Sequence, residues 1–325
     1  MIRPGTSPAT PPIRRRAGLI AVATVLALAS AVPAWVVPTV NEDTQIPTPA
    51  STTTPVSARW EVPTIGGCLT GHYLPSTDCH SRPTRTLLVT GPEPSSPTAG
   101  KSLAFDEEFK APIAFGRRWN GSTTSAYRYG NHDPDDAKLD WLTPSAITVS
   151  GGTATFTATR GSHALENGLQ SWNTGLLTTE GTTQNFRTRT GDYAESRVQL
   201  PSAVGAWPAV WTWRDGGDEV DGFEYHPDAP NILELANHVH VAYIFYTDAT
   251  TIYPGAWITV GVHYGATNDD WYLNGKLIYS DHTGVGTSWS PNIILNLCVS
   301  NGTYHPAPST TTPITFKADY VRVWR

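Results

Sequence analysis

Ala146-Ile147-Thr148-Val149-Ser150-Gly151-Gly152-Thr153-Ala154-Thr155-Phe156-Thr157-Ala158-Thr159 decides the fold class. Two short runs flank a Gly-Gly pair, the composition of a two-residue hairpin turn. On the second arm Ala154, Phe156 and Ala158 share one face, and Thr153, Thr155, Thr157 and Thr159 the other. A period of two marks a strand half-buried against a core. The pattern recurs in residues 193–200, where Ala194, Ser196, Val198 and Leu200 stand opposite Tyr193, Glu195, Arg197 and Gln199. Residues 271–278 make a second hairpin around Asn274-Gly275, and the chain closes on an alternating run at residues 316–324. No repeat of propeller or solenoid length is visible. The expectation is all-β: a two-sheet antiparallel β-sandwich of bent jelly-roll type over residues 101–325.

Composition agrees. The 325 residues include 28 Gly, 27 Pro, 12 Trp and 13 Tyr, and only 15% are charged. Average domains hold roughly 25% charged residues. This profile excludes coiled coils, helical bundles and bulk disorder. A formal net charge of -6 argues against a nucleic-acid partner, which needs basic side chains to neutralise phosphates.

The N-terminus has a different character. Arg3 and Arg14-Arg15-Arg16 precede an apolar run from Ala17 to Ala34, with small residues at Ala29-Ser30-Ala31 and Ala34. Residues 1–34 therefore read as a secretory signal peptide, cut after Ala31 or Ala34. The alternative is a membrane anchor, since residues 17–37 are long enough to span a bilayer. Either way the remainder is expected outside the cytoplasm, secreted or tethered at the cell surface. Residues 35–58 are Pro, Thr and Ser-rich and read as a linker. Residues 59–100 form a short extension, in which Cys68 and Cys79 are expected to pair as a local disulfide. Cys298 lies in the apolar run Ile293-Ile294-Leu295-Asn296-Leu297-Cys298 and reads as a buried free thiol.

The chemistry concentrates in Trp207-Pro208-Ala209-Val210-Trp211-Thr212-Trp213, followed by Glu219-Val220-Asp221-Gly222-Phe223-Glu224. In a regular strand Glu219 and Asp221 share a face and Glu224 points away. One extra residue between Asp221 and Glu224 restores the parity, and Gly222 is placed to be that bulge. Three carboxylates then converge. Crowded, partly buried carboxyls raise the pKa of at least one member. That arrangement suits glycosidic bond cleavage, in which one carboxylate attacks the sugar carbon and a protonated partner donates its proton to the leaving oxygen. A calcium site and a solvated acidic strand are the plainer readings. Trp207, Trp211 and Trp172 are candidate sugar platforms, while Trp213 reads as core.

Set in order along the chain, these segments resemble glycoside hydrolase family 16, the laminarinase and β-glucanase group. The similarity rests on several landmarks: Phe105-Asp106-Glu107-Glu108-Phe109, Tyr129-Gly130-Asn131, the Glu195/Arg197 strand, Gly205-Ala206-Trp207-Pro208-Ala209-Val210-Trp211, the acid motif, and Asp319-Tyr320-Val321-Arg322-Val323-Trp324. The resemblance implies a concave sheet that binds a β-linked polysaccharide of β-1,3-glucan or galactan type. It implies endo-acting retaining hydrolysis with or without transglycosylation. Glu219 would be the nucleophile, Glu224 the acid/base, and Asp221 the residue that orients the nucleophile. Trp207, Trp211 and Asn131 would bind substrate, with one of His238 and His240. Asp319 would hold a structural Ca²⁺, catalysis itself needing no cofactor, and a monomer is expected. Gly222 departs from the β-branched residue usual there, and Tyr225-His226-Pro227-Asp228 matches no substrate pattern. The rival reading is a lectin-like binding module, against which the intact acid set counts.

Overall fold

The computed structural model describes residues 60–63, 86–89 and 96–325. The expected signal or anchor, the linker and the Cys68–Cys79 pair lie outside the described residues. Among the described residues no helix is long and apolar enough to cross a membrane.

In chain order, β1 (Trp60–Pro63) and β2 (Thr86–Val89) form a two-stranded antiparallel ribbon. Then come β3 (Leu103–Glu107), β4 (Asp140–Leu142), β5 (Ile147–Ser150), β6 (Thr153–Ala164), β7 (Gln170–Thr174), β8 (Leu176–Thr178) and β9 (Tyr193–Gln199). The site-bearing strands follow as β10 (Ala206–Trp213), β11 (Val220–Glu224), β12 (Ile232–Asn237) and β13 (Ala242–Thr247). Last are β14 (Trp257–Tyr264), β15 (Asp269–Leu273), β16 (Lys276–Ser280), β17 (Asn292–Val299) and β18 (Ile314–Trp324).

These strands build the expected sandwich. A six-stranded sheet runs β13-β12-β11-β10-β17-β8, and a ten-stranded sheet runs β16-β15-β14-β9-β18-β6-β7-β4, with β3 beside β18 and β5 beside β6. The β5–β6 hairpin turns on Gly151 and Gly152, whose φ values of 61° and 78° are the left-handed pair a type I′ turn demands. Asn274 and Gly275 do the same between β15 and β16, with φ of 50° and 79°. Pairing is antiparallel except between β4 and β7, which run parallel.

The main core lies between the sheets. Ala154, Phe156 and Ala158 of β6 and Val198 of β9 meet Val220, Phe223, Leu233, Leu235, Ile293, Leu295 and Leu297 from the six-stranded sheet. Every residue of β17 is buried, because its second face is covered as well. That second face belongs to a separate apolar cluster of Tyr127, Leu142, Leu176, Trp207, Ala209, Trp211, Ile294 and Cys298. The six-stranded sheet therefore has one face on the core and the other under the loops that precede β4. The acids lie on this second face.

Candidate active site

Strand register brings the carboxylates together. On β10, Val210 pairs with Phe223 and the next residue, Trp211, pairs with Asp221, so β11 advances two residues against one. Gly222 is the extra residue. The same irregularity shows against β12, where Asp221 pairs with Ala236 and Glu224 with Glu234. The bulge that the sequence spacing required is present, and at the residue proposed for it. It turns Phe223 into the core and leaves Asp221 and Glu224 on the face of Trp207 and Trp211.

Gly222 also has a packing reason. A Cβ built there would lie 3.0 Å from the Val210 carbonyl oxygen, a backbone atom held in the β10 ladder. Gly222→Val is therefore expected to cost about 1–3 kcal/mol of stability through overpacking. Chemical denaturation measures this, and an unchanged midpoint would mean that the β10 backbone has room to yield.

The first acid, Glu219, precedes β11, and its carbonyl accepts the His238 backbone N–H at 3.0 Å. One atom each from the side chains of Glu219, Asp221 and His238 lie within 4.8 Å of one another. His238 Nε2 sits 3.1 Å from Asp221 Oδ2, which fixes both groups at the centre of the cluster. Asp221 is buried, and its backbone carbonyl accepts Trp271 Nε1–H at 2.8 Å. At the far end, Trp207 Nε1–H donates to Glu224 Oε1 at 2.8 Å.

Burial and mutual repulsion set the protonation. Glu219 is pushed up to about 7, first by burial and then by Asp221, against the pull of His238 and Lys138. Burial also raises Glu224 well above the ordinary carboxylate range, with Asp221 and Glu234 adding to it. His238 rises to about 9 because its hydrogen bond to Asp221 outweighs its desolvation. The cluster thus holds one carboxyl whose grip on its proton is strengthened well beyond the ordinary and one that ionises at about 7.

Several expected residues are placed differently. Trp172 is 2% exposed and packs in the main core, so it presents no ring to a ligand; alternation along β7 gave its face but not what covers that face. His240 turns away, with Nδ1 at 2.6 Å from the Gly284 carbonyl, and His238 alone joins the acids. Asn131 braces its own loop, its Oδ1 lying 2.8 Å from His132 Nδ1. Trp207 and Trp211 are on the predicted face yet only 8% and 7% exposed, which leaves little ring surface for stacking a sugar. Trp213 is not core: it packs half-buried on the same face cluster and donates Nε1–H to Ser125 Oγ.

Asp319 is the extra residue of another bulge, where Ala318 pairs with Val198 and Tyr320 with Arg197. Its Oδ2 accepts Arg197 Nη1–H at 2.7 Å.

One site residue left no trace in the sequence. Lys138 is buried, with its ammonium 5.1 Å from the ring centroids of both Tyr127 and Trp207 and 5.8 Å from that of Trp211. These are cation–π distances. Its Nζ also donates to Asp136. Burial would lower this amine, but the neighbouring carboxylates outweigh it and raise it, so the cation persists against the two tryptophan rings. Behind it, Tyr127 Oη–H donates to Asp140 Oδ2 at 2.6 Å and touches Cys298 Sγ at 3.2 Å, the buried thiol being free as expected.

No family model matches the chain. Among solved structures, the catalytic domain of an endo-1,3-β-glucanase (laminarinase) from Thermotoga petrophila RKU-1 superposes with a TM-score of 0.58. It is 20% identical and covers 69% of this chain and 98% of that one. SCLam, a non-specific endo-β-1,3(4)-glucanase from family GH16, gives 0.54 at 20% identity, over 70% of this chain and 92% of its own. The chain shares the fold of these two glucanases. Here the bulged β11 carries Asp221 and Glu224 on the second face of the six-stranded sheet, with Glu219 just before it. In sequence, the endo-1,3-1,4-β-glycanase EglC of Rhizobium meliloti (strain 1021) is 27% identical over 191 residues. The match takes in 55% of this chain and spans 39% of that protein, well under half its length.

Proposed function

We propose that this chain is an endo-acting retaining glycoside hydrolase that cleaves a β-linked polysaccharide by double displacement. The observation that carries the reading is the Gly222 bulge, which keeps Asp221 and Glu224 on one face, with Glu219 clustered beside Asp221. Glu219 attacks the anomeric carbon. Glu224 donates its proton to the leaving oxygen and afterwards takes one from the incoming water. Asp221, hydrogen-bonded to His238, holds the nucleophile in line and, as a like charge, raises the pH at which it ionises. Trp207 fixes the rotamer of Glu224 by occupying Oε1, which leaves Oε2 for the proton. These steps use side chains alone.

β-1,3-Glucan is the leading substrate, because the superposing laminarinase and the 27% identical glycanase both carry that linkage in their names. Galactans remain the second class, and a sugar acceptor in place of water would give transglycosylation. A polymer is met outside the cell, consistent with an N-terminal export segment and action as a secreted or surface-tethered monomer. A binding module would need no raised carboxyl pair, so the site favours catalysis over the lectin-like alternative.

Incubation with laminarin, lichenan, agarose and galactans tests the proposal. The expected result is rapid release of oligosaccharide reducing ends from laminarin, the β-anomer appearing first by NMR. An α-anomer first would overturn double displacement. Binding without cleavage of any of the four would overturn hydrolysis.

A further inference from the structure

Tyr225-His226-Pro227-Asp228, the segment just past the acid motif, is buried beside the acid/base. His226 is 3% exposed and His305, from the loop after β17, is 5% exposed. Their rings stack at 3.4 Å between centroids with 6° between planes. His305 Nδ1 lies 3.0 Å and 3.2 Å from the two Asp228 carboxylate oxygens. Its Nε2 lies 3.3 Å from Glu234 Oε1, and His226 Nε2 lies 3.8 Å from the same oxygen. Two imidazoles are thus bracketed by two carboxylates. Parallel ring planes direct their in-plane lone pairs side by side, which suits no tetrahedral metal centre.

The assembly touches the proposed chemistry at two points. Glu234 is the β12 residue in register with Glu224. The ring of Trp207, which donates to Glu224, packs against His226 at 5.1 Å. The two imidazoles differ in charge. Burial and the neighbouring His305 hold His226 well below its ordinary value, and its Nδ1 has no hydrogen-bond partner among the described residues. Burial lowers His305 too, but Asp228 and Glu234 outweigh it and hold the ring at about 9. Near neutral pH, then, a neutral ring abuts Trp207 and a cation abuts Glu234.

We infer that Glu234 and His305 are positioning residues for Glu224: the Glu234 carboxylate beside it strengthens its hold on the proton, and His305, backed by Asp228, limits that effect. The inference rests on Glu224 being the acid/base. The other charges that reach Glu224 are Asp221 on its own strand and Lys138 beneath Trp207, with His238 from the turn after β12. Glu234 and His305 differ from these in forming a pair of opposite sign, so removing either one displaces Glu224 in a predictable direction. Loss of a like charge favours the ionised form, and loss of the balancing cation disfavours it.

The test is the pH profile of kcat/KM on soluble β-glucan for the full-length protein. Glu234→Gln is expected to move the descending limb to lower pH by about half a unit to one unit, and His305→Gln to higher pH by a similar amount. The double variant should follow Glu234→Gln, because the histidine acts through the glutamate. Limbs that stay in place, or that move the same way in both variants, would overturn the inference; loosened packing has no reason to produce opposite shifts. Should His305→Gln fail to fold, Asp228→Asn weakens the same cation and is expected to give the same direction at smaller size. Direct ¹³C titration of the Glu224 carboxyl reads the same shifts without turnover. An inactive wild type whose Glu224 still shifts oppositely would thus refute the hydrolase and leave the coupling standing.

Discussion

Glu219→Gln is expected to lower kcat on β-glucan by on the order of ten-thousandfold or more while leaving the fold intact. The amide matches the carboxylate in shape and keeps hydrogen-bonding capacity beside Asp221 and His238, so the structural penalty is small. It lacks the electron pair and charge needed to attack an anomeric carbon, so no glycosyl-enzyme forms. Mass spectrometry after incubation with a 2-fluoro-glycoside should find a covalent adduct on Glu219 in the wild type and none in the variant. Turnover within tenfold of wild type would remove Glu219 from the nucleophile role. A second consequence concerns pH. Glu219 is raised to about 7 and must be ionised to attack, so kcat/KM should climb as pH rises toward that value.

Glu224→Gln acts on the other proton. General acid catalysis is worth roughly a hundred- to ten-thousandfold, and the variant should lose about that much on a polysaccharide, whose leaving alkoxide needs protonation. An aryl glycoside with an acidic phenol leaves without help, so its first step should survive. The glycosyl-enzyme then accumulates, because no base activates water, and azide should rescue turnover and yield the β-glycosyl azide. If Glu224 is the donor, wild-type activity is expected to fall at high pH as it gives up its proton, since only the protonated form donates. The variant has no such proton and should lose that limb. Equal losses on polysaccharide and activated glycoside would show that Glu224 is not the donor.

The acid motif was legible because its constraint is local. Whether Glu219 and Glu224 share a face depends only on strand parity, and the glycine between Asp221 and Glu224 is where a bulge comes at least cost. The same holds for Gly151-Gly152 and Asn274-Gly275, whose turn geometry needs left-handed φ values that these residues adopt most easily. Trp172 and Trp213 mark the boundary of this kind of reasoning. Alternation assigns each tryptophan to a face of its strand, but not which sheet covers that face. One packs between the sheets and the other beneath a loop. His238 and His240 share a parity and lie in a turn, so the choice between them rests on the path of the turn, which sends His240 to the Gly284 carbonyl.

The sequence by itself determined an all-β chain, the positions of its principal hairpins, and three acids forced onto one side by one glycine. These follow from dihedral preferences and a period of two, which act between residues a few places apart. Only the tertiary structure decided that Lys138 lies under Trp207, that His305 faces Glu234, and that Asp319 meets Arg197. Each of these contacts joins separate strands or loops. Burial and Coulomb forces depend on distance through space, and that distance exists only once the two sheets have closed on their core.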